Sequence, residues 1–186
     1  MIGYAFCGSF CTHSDSLEAL ERLCKKGADI VPIMSENVYR TDTRFGKACD
    51  LIEKVESLCN RKVVHTIKDS EPFGPANPLD MLIIAPCTGN TLAKIALGIT
   101  DTAVCMSAKA HLRQNKNLLI ALASNDAMSA NLRNIGTLLN RKNIYFVPMR
   151  QDDVKRKPHS LVADFSLLEE SYEMVLENAQ PRPLFI

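Results

Sequence analysis

Residues 81–102 read MLIIAPCTGNTLAKIALGITDT, and the rest of the chain is best understood from this stretch outward. The near-continuous apolar run at 82–85 suits a strand of a parallel sheet covered on both faces, and Pro86 is expected to end it. Thr88-Gly89-Asn90-Thr91 then supplies two hydroxyls, an amide and a permissive backbone, and Leu92, Ile95, Ala96 and Ile99 recur at helical spacing. A strand, a tight polar loop and a helix therefore follow one another. The N-terminus of such a helix, with unpaired N–H groups and the positive end of its dipole, is suited to an anion such as phosphate. The same residues also serve as plain helix caps, so on spacing alone a phosphate cradle and an ordinary strand-to-helix turn both stand.

A chain of 186 residues is long enough for one well-filled core and short for two, which predicts a single domain over 1–186. Its 46 % hydrophobic and 23 % charged residues are ordinary for a soluble globular protein. The net charge is +1 with both signs interspersed, so no basic patch argues for nucleic acid or a membrane surface. No apolar run approaches the roughly 20 residues of a membrane span, and no charged segment precedes the first apolar stretch, so a cytosolic location is expected. The seven cysteines, at 7, 11, 24, 49, 59, 87 and 105, are odd in number and make no paired short spacing with histidines. Neither a disulfide framework nor a metal site is expected, and most should be small buried hydrophobes.

Outward from the central stretch, residues 2–6 form a short apolar strand running into Cys7-Gly8-Ser9, a second small polar loop. A helix is predicted over 16–26, with Asp15 and Glu18 at capping-box spacing and Leu17, Leu20 and Leu23 inward. Residues 28–34 read as the next strand, ending at Ser35. Residues 41–46, TDTRFG, precede a helix with Phe45, Ala48, Leu51, Ile52, Val55 and Leu58 on one face, and residues 62–67 read as a third strand. Three prolines and a glycine in SEPFGPANP, 70–78, demand an ordered loop. Helices are predicted over 103–115, 125–142 and 161–177, strands over 118–123 and 144–147, a polar loop over 149–158, and an extended tail over 179–186. This alternation describes a doubly wound parallel sheet with helices on both faces, a Rossmann-like α/β fold whose ligands sit at the carboxyl ends of the strands. Gly8-Ser9, Ser35, Thr88–Thr91 and Ser124-Asn125 all fall at those ends, which favours the phosphate reading. With no Gly-x-Gly-x-x-Gly after the first strand and no P-loop, a mononucleotide suits the loops better than a dinucleotide or NTP.

The segment IIAPCTGNTLAKIALGITD resembles the Pro-Ala-Ser-Ala-Asn-Thr motif of the flavoprotein family that includes phosphopantothenoylcysteine decarboxylase, lantibiotic cysteine decarboxylases and prenyl-flavin synthases. FCGSFCT resembles that family's first Gly-Ser loop, and Ser124-Asn125-Asp126-Ala127-Met128 is similar to its Pro-Ala-Met-Asn-x-x-Met segment at Asn125 and Met128. TDTRFGKA, EPFGPANPLD, SNDA and KNIYFVPMRQDDVKRKPHSLVA extend the resemblance to the dipicolinate-forming branch of the family, from endospore-forming bacteria. The resemblance implies an FMN site in which Gly8, Ser9, Ser35, Thr88, Gly89, Asn90 and Thr91 hold phosphate and ribityl, with Asn125 and Met128 toward the isoalloxazine or substrate. It implies one subunit of a cytoplasmic oxidoreductase that acts during sporulation, beside a nicotinamide-dependent partner subunit, to oxidise a dihydrodipicolinate to dipicolinate. It also implies homo-oligomers, trimers or dodecamers, with Phe10, Phe45 and Phe73 as candidates for cover by a neighbour. Arg44, Arg150 and Lys157, in loops peculiar to this branch, are candidate cations for the two substrate carboxylates. No catalytic base is assigned. The decarboxylases carry a histidine shortly before the motif strand where this chain has Glu71-Pro72-Phe73-Gly74, which disfavours a flavin-dependent decarboxylase. A non-catalytic scaffolding subunit without flavin is the other alternative.

Overall fold

The structure, a computed structural model, describes residues 1–186. In chain order its elements are β1 (Ile2–Phe6), α1 (His13–Lys25), β2 (Ile30–Met34), α2 (Glu36–Arg40), α3 (Ala48–Cys59), α4 (Ile67–Ser70), β3 (Met81–Cys87), α5 (Gly89–Leu97), α6 (Ala103–Leu112), β4 (Asn117–Ser124), α7 (Leu132–Leu139), β5 (Ile144–Phe146), β6 (Met149–Arg150), β7 (Leu161–Ala163) and α8 (Leu168–Leu176). Five strands run parallel in the order β2-β1-β3-β4-β5. Beyond the end of β5 the edge is continued by an antiparallel pair, with β7 against Ala123 and Ser124 of β4 and β6 against β7.

Both faces of the sheet are covered, and strand alternation divides the core in two. Leu82 and Ile84 of β3 join Ala5, Ile33 and Ile120 beneath α5, α6 and α7. Ile83 and Ala85 join Tyr4, Phe6 and Leu119 beneath α1, α3 and α8. The buried Tyr4 hydroxyl donates to the Ser16 carbonyl at 2.9 Å, and Ser16 Oγ donates to the Ala85 carbonyl at 2.6 Å, which ties α1 to the ends of β1 and β3. No helix is long and apolar enough to cross a membrane.

Several local expectations are corrected. Residues 62–67 form no strand; Val64 makes a single bridge to Ile33, and Thr66 caps α4 through the Asp69 N–H at 3.1 Å. β3 continues through Pro86 to Cys87, because the register shifts between Ile84 and Cys87 and a shifted position tolerates a missing donor. The Pro86 carbonyl still accepts from Cys7 N at 3.2 Å. α1 begins at His13, after a 3-10 turn, with no capping box at Asp15. The helix expected over 125–142 begins only at Leu132, since the Asp126 carbonyl accepts from Ser129 N and Asn131 N, each at 3.1 Å, and turns the chain first. Residues 149–150 and 161–163 pair as strands, and Asp164 caps the turn that precedes α8. The tail is tied back: Gln180 brackets Phe146 by accepting from its N–H at 3.0 Å and donating to its carbonyl at 2.7 Å.

Candidate functional site

Strand order reverses between β1 and β3, and in open α/β sheets the crevice outside the carboxyl ends at such a point receives the ligand. A cleft of 760 Å³ opens there. On its floor the loops after β1 and β3 touch, for a Cβ on Gly8 would stand 3.2 Å from Thr88 Cγ2. Ser9 takes a left-handed conformation (φ 65°, ψ 47°). Its Oγ donates to the Ala123 carbonyl at 2.7 Å, fastening this loop across the crevice to the end of β4. Thr88 caps α5, accepting from Thr91 N at 3.2 Å and donating to Thr91 Oγ1 at 3.1 Å; Thr91 Oγ1 in turn donates to Cys7 Sγ at 3.3 Å. Burial pushes the Cys7 thiol up to about 12, so it is a neutral packing group. The backbone N–H groups of Gly8, Ser9, Gly89 and Asn90 find no acceptor within the chain. Two pairs of free amides at facing loop ends, one pair at a helix N-terminus, fit an anionic group such as a mononucleotide phosphate.

The opposite wall comes from the turn after β4. Asp126 accepts from Ser124 Oγ and from Asn131 Nδ2 at 2.8 Å, and the buried Asn134 fixes Asn131 by donating to its Oδ1 at 2.8 Å. These donors hold the Asp126 carboxyl below the ordinary carboxylate range. The β6–β7 hairpin folds the late loop over the cleft mouth, where Arg150 pairs with Asp164 at 3.1 Å and Lys157 pairs with Asp152. Asp15, Glu18, Asp126, Asp152 and Asp164 line the cleft against Arg22, Arg150 and Lys157, so its walls carry more negative than positive groups.

Asp164 is also held low, first by the Ser166 hydroxyl and then by the Ser166 N–H and Arg150. A carboxyl whose folded value is depressed adds stability that is complete above its unfolded value of about 4 and is lost as pH falls through the folded one. Asp164→Asn is therefore expected to flatten the acid limb of a urea-stability curve as pH falls below the ordinary carboxylate range. An acid limb identical to that of the unaltered protein would contradict this assignment.

Of the residues singled out from sequence, Ser9, Thr88, Gly89, Asn125, Arg150 and Lys157 line this one cleft. Gly8 packs against Thr88 at the cleft floor. Ser35 is buried as the cap of α2, Thr91 is buried beneath Thr88, Asn90 is exposed, and the half-buried Met128 packs against the core. Arg44 lies elsewhere, 4.8 Å from the Phe45 ring centroid. Phe45 borders a separate 360 Å³ crevice that Thr41 and Phe10 also line. Phe73 is buried in the core rather than exposed. His13 is a structural pin: its Nε2 donates to the Cys7 carbonyl at 2.8 Å, and burial lowers its pKa. The sequence reading missed Asp126, Asp152, Asp164 and Arg22. Asp126 directly follows Asn125 and Asp152 closely follows Arg150, which was the available signal; Arg22, on an amphipathic helix, gave none.

The Flavoprotein family model matches residues 2–166. The dipicolinate synthase B subunit of Bacillus subtilis is 38 % identical over 185 residues, spanning 100 % of this chain and 92 % of the relative. The crystal structure of the dipicolinate synthase B subunit from Bacillus halodurans C superposes with a TM-score of 0.91 at 40 % identity, covering 100 % of this chain and 95 % of that one. The FMN-dependent cysteine decarboxylase SpaF shares the fold, with a TM-score of 0.68 at 22 % identity over 96 % of this chain and 97 % of that chain. With the cleft at the β1/β3 reversal and full-length similarity of this order, the chain belongs to the Flavoprotein family, in the branch that holds the dipicolinate synthase B subunits.

Proposed function

We propose that this protein acts as the B subunit of dipicolinate synthase, working with the nicotinamide-dependent A subunit of that enzyme to oxidise dihydrodipicolinate to dipicolinate in the mother-cell cytoplasm of a sporulating bacterium. The observation that carries the reading is the convergence of Arg150 and Lys157 with Thr88, Gly89 and Asn125 on one cleft. A dicarboxylate needs two cationic contacts, and the guanidinium fork of Arg150 suits one carboxylate while the Lys157 ammonium suits the other. Both cations are already paired with Asp164 and Asp152, so substrate binding is an exchange of carboxylate partners. Arg44 takes no part in this reading.

The cradle fits FMN, with the free N–H groups of Gly8, Ser9, Gly89 and Asn90 toward phosphate, Ser35, Thr88 and Thr91 fixing the loops around it, and Asn125 and Met128 toward the ring or substrate. A bound flavin supplies a two-electron acceptor. A homo-oligomer, trimer or dodecamer, is part of the proposal; the UbiX-like decarboxylase of Escherichia coli O157:H7, with a TM-score of 0.63 at 19 % identity, is dodecameric. Phe45, Leu97 and Leu132, at 55 %, 67 % and 50 % exposure, are apolar surface that a neighbouring copy would cover.

The test is calorimetric titration of FMN into flavin-free protein, alone and in the presence of the A subunit, beside an assay of dipicolinate formation by the pair. Binding is expected, and a Thr88→Ala/Asn90→Ala double variant is expected to lose it. Absence of FMN binding in both settings would leave a flavin-less protein, and absence of dipicolinate formation by the unaltered pair would overturn the oxidoreductase reading.

A further inference from the structure

We propose that Asp126 is the catalytic base of the cleft, taking the ring proton whose departure completes aromatisation of the substrate. The inference rests on the oxidoreductase reading above and deepens it by supplying the group that reading lacks.

Of the five carboxylates around the cleft, four have other engagements or positions. Asp152 is paired with Lys157, and Asp164 with Arg150 while it caps the turn before α8. Asp15 and Glu18 are as exposed as Asp126 but are not held in place: Asp15 accepts only from its neighbour Ser14, at 3.3 Å, and no buried amide reaches either of them. Asp126, like Asp15 and Glu18, has no cation partner, and of these three it alone stands at the strand-end loops and is fixed by buried amides. Its Oδ1 lies 2.7 Å from where a Cβ on residue 89 would be, so it is packed directly on the backbone of the cradle. Its direction is set by neutral donors only, Ser124 Oγ and Asn131 Nδ2, and Asn131 is locked by Asn134, both amides being nearly fully buried. A carboxylate carries about four lone-pair sites, and the two bonds leave the others open. The group is thus charged, pre-aimed and able to accept a proton.

The chemistry suits a carboxylate of low basicity. Arg150 and Lys157 would hold a dihydrodipicolinate at its carboxylates while its hydride passes to the two-electron acceptor of the pair, a flavin or an oxidised nicotinamide. The remaining ring is electron-poor, and an adjacent fixed negative charge stabilises it as that deficit develops. The adjacent ring C–H bond then breaks, its electron pair enters the aromatic system, and the proton forms an O–H bond on Asp126, which passes it to water. Two electrons and one proton leave as hydride and one further proton leaves through Asp126, which balances conversion of the dihydro compound to the pyridine. The gain of aromaticity drives the transfer, so a base near the usual pH optimum is not required.

The experiment uses the full-length protein paired with the A subunit. It compares the unaltered chain with Asp126→Asn, which keeps the shape, and Asp126→Ala, which opens a space beside Gly89. Both variants are expected to form dipicolinate about 100-fold or more slowly, while calorimetric binding of dipicolinate itself by Asp126→Asn stays within about threefold of the unaltered protein. Added formate is expected to restore part of the rate to Asp126→Ala, a readout that a structural role would not give. Asp126→Asn turning over within about threefold of the unaltered pair, or a loss that tracks loss of product binding with no rescue by formate, would overturn the assignment. An inactive unaltered pair would instead sink the reading on which it rests, and the two failures are told apart by which protein is silent.

Discussion

Replacing Gly89 by alanine is expected to abolish ligand binding at the cleft and to lower stability by about 1–3 kcal/mol. The new Cβ would lie 2.3 Å from Ser124 Oγ, 2.6 Å from Asn131 Nδ2 and 2.7 Å from Asp126 Oδ1. Each distance is well inside van der Waals contact, and all three atoms belong to one hydrogen-bonded group, so none can move without loosening the others. The glycine is required for space and not for backbone freedom, since it is absent from the positive-φ positions. Gly98 is the control: at φ 74° it has nothing within 4 Å of an added Cβ, so alanine there meets backbone strain without a clash and leaves the cleft untouched. Urea unfolding and FMN or dipicolinate calorimetry on the two variants separate the effects. Gly89→Ala with unchanged binding would mean that the Ser124–Asp126–Asn131 wall is not part of the site.

Phe146→Ala is expected to cost about 3–5 kcal/mol, the largest single stability loss proposed for this protein. The Phe146 ring is fully buried, and it is the last residue of a three-residue strand at the edge of the parallel array. β5 pairs only Leu118, Leu119 and Ile120 of β4, and a strand this short depends on its side chains more than on its ladder. Removing the ring leaves a cavity in the cluster that also holds Ile120, Ile135 and Leu138, and the Gln180 bracket on both backbone groups of Phe146 limits how far the strand can collapse into it. A urea midpoint that falls with an unchanged slope would express this cost as lost stability of one cooperative unit. A loss below about 1.5 kcal/mol would show that the edge relaxes into the space.

The central strand, its polar loop and its helix were legible because their signals are local. Ile2–Phe6 and Met81–Cys87 are apolar throughout, and burial on both faces needs no knowledge of the partners. Thr88 reads as a cap because its bond is made to Thr91, three residues away. The cleft loops followed from the same logic: in an alternating β-α chain, the residues after each strand share one edge of the sheet, and so Ser9, Thr88 and Asn125 were found.

The misread segments are those whose conformation is set by distant chain. Leu161–Ala163 carries a helix-compatible pattern and is a strand because Ala123 and Ser124 offer an unpaired edge beyond the end of β5. Residues 62–67 have strand composition and find only one bridging partner. The same divide runs through the site. Composition and spacing located the loops that line the cleft, since the placing of strand ends and helix starts at one edge of the sheet is a consequence of chain order alone. Which carboxylate neutralises Arg150 or Lys157, why Gly89 admits no side chain, and why Asp126 is left charged without a cation depend on contacts between the loops after β3 and β4 or across a folded hairpin. Such contacts have no local signature, because their energy exists only once the sheet has brought the loops together.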